Sequence, residues 1–401
     1  MNNRNFNARA AGRGAWISTA LLLTVAVYAA LSLRLSTQAA PTSVTLTRGP
    51  YVQSTTPTSA YIVWKTSIAA SSSVTYRLAR GDGIPPGVIK VGKPLTVVGT
   101  EKVKQHVVRL TGLRPGSSYL YQVSSGGRPL KNAMLRTAKL PGQPFTFAVW
   151  GDSGHEGSRG QKPLAAQIKK SNPDFMLHTG DLIYPRGEAA RFDPYFFQVY
   201  APTLARAPFY GSLGNHDIGT ANGRPFLENF VLPRNGPPRL AAERNYAFDY
   251  SDAHVVVIDS NLGAYSLRRD VAPWLEKNLK ASRARWKFVV FHHPPFSSGL
   301  HGDDARIKNI LVPIFSRCQV DVVFNGHDHH YERFKPRDGV LYIVTGAGGA
   351  GRYPRRRHRA TTARYWNDDW SFTRIDIKGR TLHGRQIAAS GATVDDWSIK
   401  K

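Results

Sequence analysis

Residues 174–184 read Asp-Phe-Met-Leu-His-Thr-Gly-Asp-Leu-Ile-Tyr. The run from Asp174 to Thr179 has the length and apolar centre of a buried strand, so Asp181 and Tyr184 leave its C-terminal end, where sites in α/β sheets are built. A carboxylate has lone pairs enough to serve two cations at once, which makes Asp181 a candidate bridging ligand. Tyr184 adds a phenol, which ionises near pH ~10 in water, so its ligation near neutrality requires a strongly Lewis-acidic ion such as ferric iron.

Four further stretches repeat the arrangement of an apolar run ending in metal-binding side chains. They end in Gly151-Asp152-Ser153-Gly154, Gly214-Asn215-His216-Asp217, Val289-Val290-Phe291-His292-His293 and Gly326-His327-Asp328-His329. One such ending is ordinary turn chemistry. Five in one domain describe a single convergent site.

The rest of the chain frames that domain. Its 401 residues allow two cores, and 54 Lys and Arg against 27 Asp and Glu give a formal charge of +27, which favours anionic substrates or surfaces. The single cysteine, Cys318, excludes an intrachain disulfide framework and reads as a small buried hydrophobe. Residues 1–40 carry Arg4, Arg9 and Arg13 ahead of an apolar run from Ala15 to Leu33, then small residues including Thr37 and Ala39. They read as a signal peptide or an N-terminal membrane anchor, and either puts the remainder outside the cytoplasm, secreted, periplasmic or anchored. Residues 41–138 are short β-type runs with Trp64 as the core indole, and 139–144 form a linker. From Phe145 strands interleave with helices, predicting a layered α/β domain over 145–401.

In order and wording, Gly-Asp-x-Gly, Gly-Asp-x-x-Tyr, Gly-Asn-His-Asp, Val-x-x-His and Gly-His-x-His resemble the motifs of purple acid phosphatases, within the calcineurin-like metallophosphoesterases. The resemblance implies a four-layer α-β-β-α sandwich, preceded by an all-β, fibronectin type III-like sandwich that also matches the larger members. It implies two metal ions, one ferric, on Asp152, Tyr184, His329 and the shared Asp181. The other, a divalent iron, zinc or manganese, falls to Asp181, Asn215, His292 and His327. It further implies hydrolysis of phosphate monoesters by metal-activated hydroxide, with His216 facing the substrate, Asp217 orienting its other nitrogen, and His301 as a further phosphate contact or proton donor. His293 would face outer partners. A phosphodiesterase on the same site is the alternative reading, and a basic binding protein with a vestigial site is a third.

Two features lie outside the ligand set. Thr345 to Gly351 reads as a strand end and a flexible wall beside the site, and the basic run from Arg352 to Arg364 as a solvated loop or a rim gathering anionic polymers or nucleotides. No obligate protein partner is implied.

Overall fold

In the computed structural model, residues 43–80 and 92–401 are described. The predicted leader, residues 1–40, lies outside them. Among the described residues no helix is long and apolar enough to cross a membrane.

The N-terminal part contributes β1 (Leu46–Gln53), β2 (Ala60–Arg80), β3 (Leu95–Leu110), β4 (Ser118–Ser125) and β5 (Arg128–Arg136), hydrogen-bonded in the order β1-β2-β4-β5 with β3 also on β2. Two of these strands are far longer than the short runs expected from sequence. Register shifts between Lys65 and Ser72 let β2 change partners along its length, pairing with β1 in its first half and β4 in its second. Trp64 is fully buried as expected, donating Nε1–H to Ser125 Oγ at 2.9 Å and stacking on His106 at 4.7 Å. Tyr119 Oη accepts the Arg114 N–H at 2.8 Å, which ties the turn before β4 to its first tyrosine.

From Phe145 the chain builds two sheets. The first runs through β6 (Phe145–Trp150), β7 (Phe175–His178) and β8 (Phe209–Gly211), all parallel. The second takes β9 (Tyr246–Tyr250), β10 (Ala253–Val257), β11 (Trp286–Val290), β12 (Val322–Asn325), β13 (Tyr331–Phe334), β14 (Leu341–Thr345) and β15 (Thr362–Trp366), in the order β15-β13-β14-β12-β11-β10-β9. The chain then returns to the first sheet as β16 (Ser371–Lys378), β17 (Thr381–Ala388) and β18 (Thr393–Lys400), completing β18-β17-β16-β6-β7-β8.

Period-2 patterning decides what each face buries. Phe288 and Val290 of β11 join the core between the sheets, where Phe147 meets Phe288 edge-on at 5.2 Å. Val289 and Phe291 turn to the outer core, against Leu275 and Leu279 of the helix Ala272–Ala281 and against Phe315 and Cys318. Leu164 and Ile168 of the helix Gln161–Ser171 cover the other sheet. The result is the expected α-β-β-α layering, with Cys318 buried as predicted. The basic run departs from expectation at its end: Thr362 to Trp366 form the edge strand β15 rather than a continuing loop.

Candidate metal centre

All five ligand-bearing segments leave the C-terminal ends of parallel strands: β6 delivers Asp152, β7 Asp181 and Tyr184, β8 Asn215, β11 His292, and β12 His327 and His329. Asp152, Asp181 and His327 hold left-handed backbone, with φ of 60°, 55° and 69°. Such conformations cost of order 1–3 kcal/mol in non-glycine residues and persist where the surroundings over-determine them, commonly at functional sites.

The side chains converge in two overlapping groups. Tyr184 Oη stands 3.2 Å from Asp152 Oδ1, 3.1 Å from Asp181 Oδ2 and 3.0 Å from His329 Nε2. His292 Nε2 stands 3.2 Å from Asp181 Oδ2, 3.0 Å from Asn215 Oδ1 and 3.2 Å from His327 Nδ1. Asp181 belongs to both. Metal–ligand bonds of ~2.1 Å at right angles leave ligand atoms ~3 Å apart, so the spacing fits two cations sharing one carboxylate. Asp152, Asp181 and His292 are completely or almost completely buried. Buried carboxylates without a cation are costly, which is a further argument for the fit.

Backbone carbonyls fix the imidazoles. His292 Nδ1–H donates to Thr179 O at 2.9 Å, and His329 Nδ1–H to Gly351 O, so each presents Nε2 to the centre. Burial opposes charge on His292, yet the adjacent Asp181 outweighs it and pushes the pKa up to about 9; Asp152 likewise raises His329 against burial. Both shifts report a pocket that attracts positive charge. Burial and the neighbouring imidazoles instead push His327 well down. His293 Nδ1 stands 2.8 Å from Ser260 Oγ, while its ring lies 4.6 Å from that of His327, and His292, His293 and His327 together are close enough to hold a metal ion.

His216 lies at the edge of the centre, half-exposed, its Nε2 3.9 Å from Asp181 Oδ2 and its ring 4.3 Å from that of Tyr184. Asp217 does not orient it. The other imidazole nitrogen, Nδ1, meets Pro185 O at 2.5 Å, while the Asp217 carboxylate turns inward and accepts the N–H groups of Leu182, Ile183 and Gly214 at 2.9–3.2 Å. Asp217 therefore ties the Asp181 loop to the Asn215 loop. Burial and the Asp181 charge push its pKa up to about 7, against the lowering effect of those N–H groups.

His301 reaches the opposite edge: its ring lies 4.1 Å from that of His327, and its N–H donates to Asp328 Oδ1 at 2.9 Å. Asp328, between two ligands, points away from them and also accepts Ser297 Oγ–H at 2.5 Å, holding the 297–302 loop against the site.

Sequence reasoning placed Tyr353 only within a basic run. Its ring stacks on His329 at 4.0 Å, and it lines a cavity of about 550 Å³ with His155, Glu156, Arg191, Tyr184 and His216. No periodicity marks a loop residue that comes back to a ligand. The glycine run before it does wall the site, with Ala350 and Gly351 lining the same cavity. Gly348 N–H donates to Gly151 O, Ala350 N–H to Asp152 O, and a Cβ on Gly348 would stand 2.1 Å from Gly151 O, so only glycine permits that approach.

A family profile described as calcineurin-like phosphoesterase matches residues 145–331. Purple acid phosphatase 17 of Arabidopsis thaliana is 30% identical over 249 residues, covering 54% of this chain and 71% of that relative. The chain belongs to the purple acid phosphatase family. Purple acid phosphatase 4 of the same plant is 26% identical over 302 residues, covering 67% of this chain and 87% of that protein. Among solved structures, a purple acid phosphatase from yellow lupin seeds superposes with a TM-score of 0.75 at 18% identity, covering 88% of this chain and 74% of its own, and so shares the fold. As a purple acid phosphatase family member, the chain is a hydrolase of the metallophosphoesterase class.

Proposed function

We propose that this hydrolase cleaves phosphate monoesters at two metal ions. One, ferric, is held by Asp152, Tyr184, His329 and Asp181; the other, divalent iron, zinc or manganese, by Asp181, Asn215, His292 and His327. The observation that carries the reading is the shared Asp181, within 3.2 Å of a ligand atom in each group. When bound, such a pair activates water and neutralises phosphoryl charge. Burial and two carboxylates hold the Tyr184 phenol well above its ordinary pKa, so its ionisation calls for the strongly Lewis-acidic ferric ion.

The protein groups complete the reaction. With Nδ1 committed to Pro185 O, His216 offers Nε2 to the substrate, placed to hold a phosphoryl oxygen or move a proton to the leaving group. His301 occupies the facing edge and is proposed as a second phosphate contact. The half-exposed position of His216 and the 550 Å³ cavity give room for a varied leaving group. We propose further that the N-terminal sheet is a fibronectin type III-like module, supported by the Tyr119–Arg114 tie, and that the leader directs export.

The test is kcat/KM of the metal-loaded protein on an aryl phosphate monoester and its matching diester, at acidic and neutral pH. A preference for the monoester is expected. A diester preference would turn the same site into that of a phosphodiesterase, and a metal-loaded protein inert on both would leave the binding-protein reading.

A further inference from the structure

The chain carries six arginines from Arg352 to Arg364, and among the described residues one carboxylate pairs with them, Asp303, which binds Arg359 at 2.7 Å. The loop is held instead by backbone: the N–H groups of Arg356 and Arg357 donate to Ser298 O, and Arg357 Nη1–H to Gly299 O at 3.0 Å. It borders an open surface depression of about 500 Å³ lined by Arg355, His358, Arg359, Thr362, Arg364 and Tyr365, with no acidic residue in its wall. The Arg359 Nε–H and the Tyr365 hydroxyl, on two of the lining residues, are buried away from the depression without a hydrogen-bond partner. Among the described residues no carboxylate pairs with Arg355 or Arg364, so the wall presents two uncompensated guanidiniums to an anion.

The nearby aromatic rings are already engaged. Tyr365 carries the Arg355 guanidinium at 4.8 Å and the His330 ring at 4.7 Å; Tyr353 stacks on His329, and Arg352 covers Trp370 at 4.9 Å. Base stacking, the usual device for single-stranded nucleic acid, has little surface to use here, while phosphate oxygens have several donors. Tyr353 touches a metal ligand, and Arg355 is two residues away, a reach of at most ~7 Å of chain.

We propose that this depression is a second anion subsite, which takes the additional phosphate groups of an oligophosphate while its terminal phosphate reaches the metal centre. The proposal rests on the phosphatase reading for the chemistry at that centre, though not for binding in the depression.

The experiment compares the metal-loaded protein with its Arg355→Gln/Arg364→Gln variant on tripolyphosphate and on phenyl phosphate. The ratio of kcat/KM values, tripolyphosphate over phenyl phosphate, is expected to fall at least tenfold, mainly through KM, with the difference shrinking as salt rises. An unchanged ratio overturns the subsite. A 5′-phosphorylated oligonucleotide losing more than tripolyphosphate overturns the assignment to oligophosphates in favour of nucleic acid. Calorimetric binding of tripolyphosphate to Asp181→Asn protein, with and without the two arginines, separates the readings. A tenfold loss there supports the subsite even if no ester is turned over by any form, a result that would sink the phosphatase reading alone.

Discussion

At the scale of single residues, Tyr184 is the most discriminating. Its hydroxyl makes three close contacts, to Asp152, Asp181 and His329, all ligand candidates of one group. Phenylalanine keeps the ring packing against His216 and removes only that oxygen. Tyr184→Phe is therefore expected to fold normally, to lose the visible tyrosinate-to-iron absorption and to retain a fraction of hydrolysis, as read by absorption spectroscopy and kcat on an aryl phosphate. A band that survives the substitution would remove Tyr184 from the ligand set. Much at this scale was legible in the sequence, because a ligand must be a particular chemical type at a strand end. Asp217 was not. Its type and its position beside His216 suggested the wrong partner, since a carboxylate surrounded by three inward-facing N–H groups in two loops is a tertiary arrangement that a local motif does not encode.

At the scale of elements, the site depends on how closely the loops approach one another. Gly348, just beyond β14, donates to Gly151 O at the end of β6, which joins the two sheets immediately beside Asp152. Gly348→Ala would bring a methyl group to 2.1 Å from that carbonyl and 2.8 Å from Trp150, contacts that force backbone to move. Overpacking of this kind costs about 1–3 kcal/mol or more, and here the displaced backbone carries a ligand. The variant is expected to melt several degrees lower and to bind less metal, measured by thermal unfolding and elemental analysis. Wild-type metal content would mean that Asp152 is positioned without this contact. The parallel strands were readable as apolar runs. The two ends of β2 were readable as separate short runs, 59–64 and 73–76, but not their continuity through the bulged middle, and β15, mostly half-exposed or exposed and rich in polar side chains, was not readable as a strand.

At the scale of the whole molecule, the N-terminal sheet is fastened to the segments around the cavity. Arg48 is buried with its guanidinium on the Asp193 carboxylate and Asn229 Oδ1, and it covers the Phe197 ring at 4.1 Å. Tyr51 Oη–H donates to Asn229 O at 2.6 Å and Ser54 Oγ–H to Val231 O at 2.6 Å. These contacts close on segment 193–232, which includes Asn215 and His216 and begins two residues after Arg191. Hydrogen bonds to charged groups contribute about 1.5–3 kcal/mol, and Asp193, 39% exposed, stays solvated when Arg48 is removed, so the larger cost of an orphaned buried charge does not arise. Arg48→Ala is expected to destabilise the protein by about 2 kcal/mol and to quicken its proteolysis. Metal content and kcat on a small aryl phosphate should stay near wild type, because no Arg48 atom reaches the ligand groups. A comparable loss of metal would instead make the N-terminal sheet part of what positions Asn215, a coupling that calorimetry and metal analysis on one preparation can distinguish.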